Sequence, residues 1–97
     1  MKTMKKLHFD EKLESLVDES SIKYEGKRFS TVYARTLTGY SRPEDARTEV
    51  LTILEKLASE KGANAYEIFE LNGQMSRQEF DPKPYFANAT AILYKSK

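Results

Sequence analysis

The segment that most constrains the fold lies near the end of the chain, from Tyr85 to Lys95. Read with the period of two that governs a strand, it places Ala87, Ala89, Ala91 and Leu93 on one face, and Phe86, Asn88, Thr90, Ile92 and Tyr94 on the other. A row of alanine methyls is a flat surface that a helix can approach closely, so the alanine face is expected to carry the main helix. One helix cannot cover both faces of a sheet. The Phe86/Ile92/Tyr94 face therefore needs a second cover: an N-terminal helix, a second subunit or a ligand.

The main helix is predicted over residues 41–61. Ser41 followed by Glu44 has the spacing of a capping box, and Pro43 falls in the first turn, where a missing N–H costs nothing. Glu44 and Asp45 complement the positive helix start, while Lys56 and Lys61 lie toward its negative end. Ala46, Val50, Ile53, Leu54, Leu57 and Ala58 recur at i, i+4, i+7, i+8, i+11 and i+12, which is one core-facing stripe. Gly62 is placed to end the helix in a left-handed conformation.

Around this helix the expected order is β-α-β-β. Residues 28–37 are rich in β-branched and aromatic side chains and read as a strand with faces Ser30/Val32/Ala34/Thr36 and Thr31/Tyr33/Arg35/Leu37. Neither face is cleanly apolar, so both are expected to be partly covered. Residues 65–71 read as the next strand. Asn72-Gly73 then opens a turn, and 72–84 reads as a long flexible loop stiffened at its exit by Pro82 and Pro84. Before the first strand, residues 1–6 are basic and expected to fray. Phe9, Leu13, Leu16 and Val17 lie at helical spacing after Asp10, a candidate N-cap, which predicts a short helix of about two turns. Residues 18–21 form a polar break. The expected organisation is an extension over 1–20 and a single α+β domain over 21–97, built on an antiparallel sheet of three to four strands.

At 97 residues the chain is one domain, burying roughly 60–65% of the surface its unfolded form exposes. The core is modest, and a partner would add stability. Sixteen basic against 15 acidic residues leave a net charge of +1, which argues against a binder of duplex nucleic acid. There are no cysteines, which removes disulfides, thiolate catalysis and cysteine-ligated metals. The start has the positive end of a signal peptide without its apolar core, and no stretch approaches the ~20 apolar residues of a membrane span. A soluble, cytoplasmic protein without membrane insertion is the expectation, exported only if a signal has been removed.

No constellation carries catalysis or a cofactor. His8 is the only histidine, and with Asp10 and Glu11 it offers too few ligands, poorly spaced for a metal. Glu44, Asp45, Glu49, Glu55 and Glu60 stand beside Arg47, Lys56 and Lys61, as on an ordinary solvated helix face. Neither GxGxxG nor GxxxxGK[ST] occurs. Six tyrosines with Arg35, Lys83 and Lys95 could stack on single-stranded nucleic acid, but half-buried strand tyrosines, or a protein interface, are the simpler readings at this net charge. The candidate interaction surface is Tyr33, Arg35, Met75, Phe80, Phe86, Ile92 and Tyr94.

Residues 39–95 resemble the small YdgH/BhsA/McbA-like domains of bacterial stress and biofilm proteins. The likeness rests on Gly39 and Ser41, the turn Ser59-Glu60-Lys61-Gly62-Ala63, Tyr66 and Ile68, and the closing run Ala89 to Lys95. The same caps, turns and core alanines suit other strand–helix–strand–strand modules, YbjQ-like and dodecin-like oligomers among them. The resemblance implies an α+β fold and a non-enzymatic role in stress response or surface behaviour, and it brings no catalytic residues. The expectation is a small non-catalytic binding or assembly module, a homo-oligomer or one with a protein partner. The alternative is a carrier with a small-molecule site between the sheet and the N-terminal segment.

Overall fold

A computed structural model describes residues 4–96. The fold is α+β, with one helix and a five-stranded mixed sheet. In chain order the elements are β1 (Lys5–Asp10), β2 (Ser15–Val17), β3 (Gly26–Arg35), α1 (Pro43–Glu60), β4 (Ala65–Met75) and β5 (Tyr85–Ser96). The sheet order is β2-β1-β4-β5-β3. The expected β-α-β-β order is present as β3-α1-β4-β5, but the sheet is neither three- to four-stranded nor wholly antiparallel, because β1 joins β4 in parallel.

The alanine row is where the core forms. Ala46, Val50, Leu54 and Ala58 of α1 pack with Ala87, Ala89, Ala91 and Leu93 of β5 and with Val32 and Ala34 of β3. Methyl-sized residues on both sides bring helix and sheet close, while Tyr66, Leu54, Leu93 and Val50 supply bulk. Tyr66 is fully buried, and its hydroxyl donates to Glu55 Oε1 at 2.7 Å, so its polar tip is satisfied at the helix surface.

The helix starts one residue later than its capping box predicts. Pro43 drives the residue before it out of the helical region. Arg42, at φ −132° and ψ 140°, is therefore the N-cap, and no side chain caps the first turn. Ser41 lies outside the helix. The C-terminus follows its signal: Gly62 sits at φ 87°, Gly62 N–H donates to Ser59 C=O, and Ala63 N–H donates to Ala58 C=O.

The short helix expected from Asp10 is instead the β1–β2 hairpin. Asp10 Oδ1 accepts from the N–H groups of Lys12 and Leu13 at 2.9 and 3.2 Å, as an N-cap would, but here it closes a turn. Glu14 at φ 49° completes that turn. Two helical turns could not stand alone, whereas an extended β1 gains hydrogen bonds from the β4 edge at Lys5–Leu7. Leu7 and Val17 are buried, while Phe9 and Leu13, which the helical spacing counted, are exposed. Of the basic start, Lys5 and Lys6 belong to β1 and residues 1–3 lie outside the described residues. Asp18 closes the polar break, its Oδ1 accepting from Ser20 and Ile22.

Asn72-Gly73 does not turn either. β4 runs through it to Met75, held in register by β5 with Asn72 opposite Asn88 and Met75 opposite Tyr85. The connection is residues 76–84, pinned by Ser76 N–H to Pro84 C=O at 2.7 Å. Gly39 lies so close to the Lys83 carbonyl that a β-carbon there would collide with it. The close approach fixes the far end of the loop against the chain entering α1.

Adding bulk to the alanine row should separate helix and sheet. Ala91→Leu is expected to cost about 1–3 kcal/mol by urea denaturation. Thr90→Val, on the opposite face of the same strand, should stay within about 0.5 kcal/mol.

Candidate interaction surface

Strand alternation decides which side chains reach the second face of the sheet. Thr31, Tyr33 and Arg35 of β3 lie opposite Ile92, Thr90 and Asn88 of β5. Val32, Ala34 and Thr36 are buried, while Thr31, Tyr33, Arg35 and Leu37 are all exposed. The expectation that both faces of β3 are partly covered is thus corrected: α1 covers one, and the other is open.

Cover on the second face is confined to one end. Leu7, Ala65 and Tyr94 form a small second core, with Leu16, Tyr24 and Ile92 packed against it. The rings of Tyr24 and Tyr94 meet edge to face at 6.1 Å between centroids. Tyr24 O–H donates to Asn64 Oδ1, and Asn64 Nδ2 donates to Ser96 Oγ. Tyr94 O–H donates to Glu67 Oε1 at 3.0 Å. Burial, reinforced by the Glu67 carboxylate, pushes the Tyr94 hydroxyl from 10.0 up to about 12. Burial and Glu55 act in the same direction on Tyr66.

The seven residues expected to form one surface therefore separate. Tyr33, Arg35 and Phe86 come together with Leu37, Gln74 and Asn88 around an open cleft of about 370 Å³. Met75, 64% exposed, lines a neighbouring cleft with Leu71, Pro43 and Arg47, and Phe86 and Gln74 border both. Phe80 stands at the tip of the 76–84 connection, 96% exposed with φ 67°, and lines neither cleft. Tyr94, only 8% exposed, belongs to the second core, with Ile92 half-buried against it.

Leu37, 79% exposed, Phe69, 70% exposed, and Leu71 were missed by sequence reading as surface residues. The alternation of Thr31/Tyr33/Arg35/Leu37 held the signal for Leu37. Phe69 had none, because it sits at a register shift between Ile68 and Glu70.

At the open end of the sheet, beside the first cleft, Thr36 terminates the β3–β5 ladder. Its backbone N–H donates to Ala87 C=O at 2.9 Å, and its Oγ1 accepts from Ala87 N–H at 3.0 Å. The buried hydroxyl thus replaces a ladder partner, and the chain is free to turn toward Gly39.

His8 is exposed on β1, and Asp10 is occupied by its turn. Among the described residues no cluster of three or more acidic or histidine side chains could hold a metal. The helix carboxylates form one ion pair, Arg42 to Asp45 at 3.2 Å, solvated and worth little. No helix among the described residues is long and apolar enough to cross a membrane. No family model matches the chain, and no curated protein or solved structure proved similar to it.

The raised tyrosines give a pH dependence of definite sign. A hydroxyl that ionises at 10.0 when unfolded and near 12 when folded stabilises the fold fully below 10.0, and this stability is lost as pH rises through 12. The melting temperature should fall over that window, with tyrosinate absorbance rising as the fold melts. Glu67→Gln should reduce the fall by removing the carboxylate that opposes ionisation.

Proposed function

We propose that this chain is a small non-catalytic binding or assembly module that acts through the open end of its sheet. The observation that carries this reading is a pair of adjoining open clefts at one end of the sheet: exposed Tyr33 and Leu37 stand with Arg35 and Phe86 at the first, and exposed Leu71 and Met75 border the second. Aromatic residues, methionine and arginine are the types enriched where proteins bind one another. The extended shape supports the same reading. The Cα radius of gyration is 15.1 Å, against about 13 Å for a compact 100-residue domain. A chain with this much uncovered strand gains stability from a partner, and a homo-oligomer is the favoured assembly. The stress-associated role implied by the likeness over residues 39–95 belongs to the proposal and rests on that likeness alone.

A carrier function is the second reading, and one feature favours it. A cleft of about 520 Å³ lies between the N-terminal segment and α1, bordered by Lys5, Lys6, Asp18, Glu55 and Tyr66. A polar metabolite held there should raise the melting temperature in a thermal-shift screen. Silence across all metabolite classes would end this reading.

The interaction reading is tested on Tyr33→Ser combined with Met75→Ser. Both side chains are exposed, so the melting temperature should move by only a few degrees. Self-association measured by sedimentation should weaken about tenfold or more. Unchanged association would show that these side chains are ordinary solvated surface.

A further inference from the structure

We infer that a second copy of this chain pairs antiparallel along the open edge of β4, across Leu71, Gly73 and Met75. The inference rests on the assembly reading above and names its partner and its contact.

Three observations lead to it. β1 covers β4 only at Ala65–Glu67 and then turns away to pair with β2. From Ile68 to Met75 β4 therefore has β5 on one side and no strand on the other. The direction of the backbone groups follows from the hairpin. Ser76 N–H bonds Pro84 C=O, and Tyr85 exchanges both its backbone bonds with Tyr40 on its other side. Alternation along an antiparallel ladder then turns the N–H and C=O of Met75, Gly73 and Leu71 outward, away from β5. All three residues are exposed, and a β-carbon built on Gly73 meets nothing within 4 Å.

The composition of this edge is unlike that of its counterpart. Ile68 to Met75 reads IFELNGQM, with one charge and no proline. The edge strand β3, on the far side of β5, carries Lys27, Arg28 and Arg35 and a register shift at Arg28/Ser30. Charges and bulges are the devices that keep edges from pairing; β4 has its own register shift at Ile68/Glu70, but beyond it no residue from Leu71 to Met75 is charged.

A second copy is the occupant because the segment is complementary to itself when reversed. With Gly73 opposite Gly73 of the other copy, Leu71 faces Met75, Asn72 faces Gln74, and Glu70 faces Ser76. No like charges meet, the amides can bond one another, and the two outward apolar side chains pair on the helix side of the sheet. Each of the three outward residues meets another outward residue and exchanges two backbone hydrogen bonds. Centring on Asn72 instead would set Met75 against Phe69, where the register breaks. The result is a closed twofold dimer with one continuous sheet.

The test measures solution mass by light scattering over a range of concentrations. The full chain should appear at twice its 11.2 kDa mass. Gly73→Pro removes an N–H that faces away from β5, a position where an edge strand accepts proline, so it should keep the far-ultraviolet circular dichroism and give the single-chain mass. If that variant does not fold, Met75→Lys, which sets a charge on the edge, must give the single-chain mass instead. The chain has no cysteine, so Gly73→Cys should cross-link to a covalent dimer on mild oxidation, while Thr31→Cys on the β3 edge should not. A wild-type dimer that persists in the folded edge variant, without cross-linking at Gly73→Cys, overturns the β4 contact and leaves the assembly reading standing. A full chain that stays at single mass at every concentration overturns both the dimer and the homo-oligomer reading.

Discussion

Everything in this fold depends on how closely α1 can approach β5. Ala46 and Ala58 on the helix meet Ala87, Ala89 and Ala91 on the strand, and Val50, Leu54 and Leu93 fill the space those methyls leave. A close contact between small residues is well packed but narrow. One helix of 18 residues therefore covers β5 and β3 and leaves the outer half of β4 bare. The remaining apolar surface is divided between a small second core under the N-terminal hairpin and an open end around Phe86. The molecule's exposed patches are the geometric remainder of that one contact.

With so modest a core, polar side chains take over tasks that backbone would otherwise perform. Asp10 and Asp18 close turns by accepting backbone N–H groups, and Thr36 stands in for a strand partner at the end of β3. Tyr66 and Tyr94 bury their rings and place their hydroxyls on Glu55 and Glu67 at the margins of the two cores. Each tyrosine thus contributes apolar area without leaving a buried donor unpaired, and each couples the fold to pH only in the alkaline range.

The helix and the alanine face were legible in the sequence because both are periodic and both signals are long. Its start was displaced by a single residue because Pro43 acts on the residue before it, and this overrode the capping box at Ser41. The N-terminal hairpin was not legible as such. Asp10 followed by two free N–H groups is compatible with a helix cap or a turn, and what decides is the vacant β4 edge, far away in sequence. Asn72-Gly73 misled for a related reason: a turn-prone pair stays extended when ten rungs of β5 hold it. Within the surface, Tyr33, Arg35 and Phe86 were readable from alternation alone. Tyr94 and Ile92 alternate equally well, but the hairpin that covers them could not be foreseen while its residues read as a helix.

The edge strand β3 and the open side of β4 show how the chain distributes its risk of association. At β3 the backbone edge is flanked by cations, and Lys95 Nζ lies 4.6 Å from the centroid of the Phe29 ring, so charge and aromatic surface are already engaged within the molecule. At β4 the N-terminal hairpin protects the first three residues and then departs beside the register shift at Phe69. If the hairpin's purpose were simply to hide the edge, continuing along β4 would bury Phe69 and Leu71 and satisfy their neighbours' backbone groups. It turns away instead, spending Leu7 and Leu16 on the second core. Closing that core and closing the β4 edge compete for the same short segment, and the core is favoured because it buries Tyr94 and Ala65 together. The open stretch from Ile68 to Met75 is the consequence of that competition, and past the register shift at Ile68/Glu70 no charge from Leu71 to Met75 opposes a partner strand.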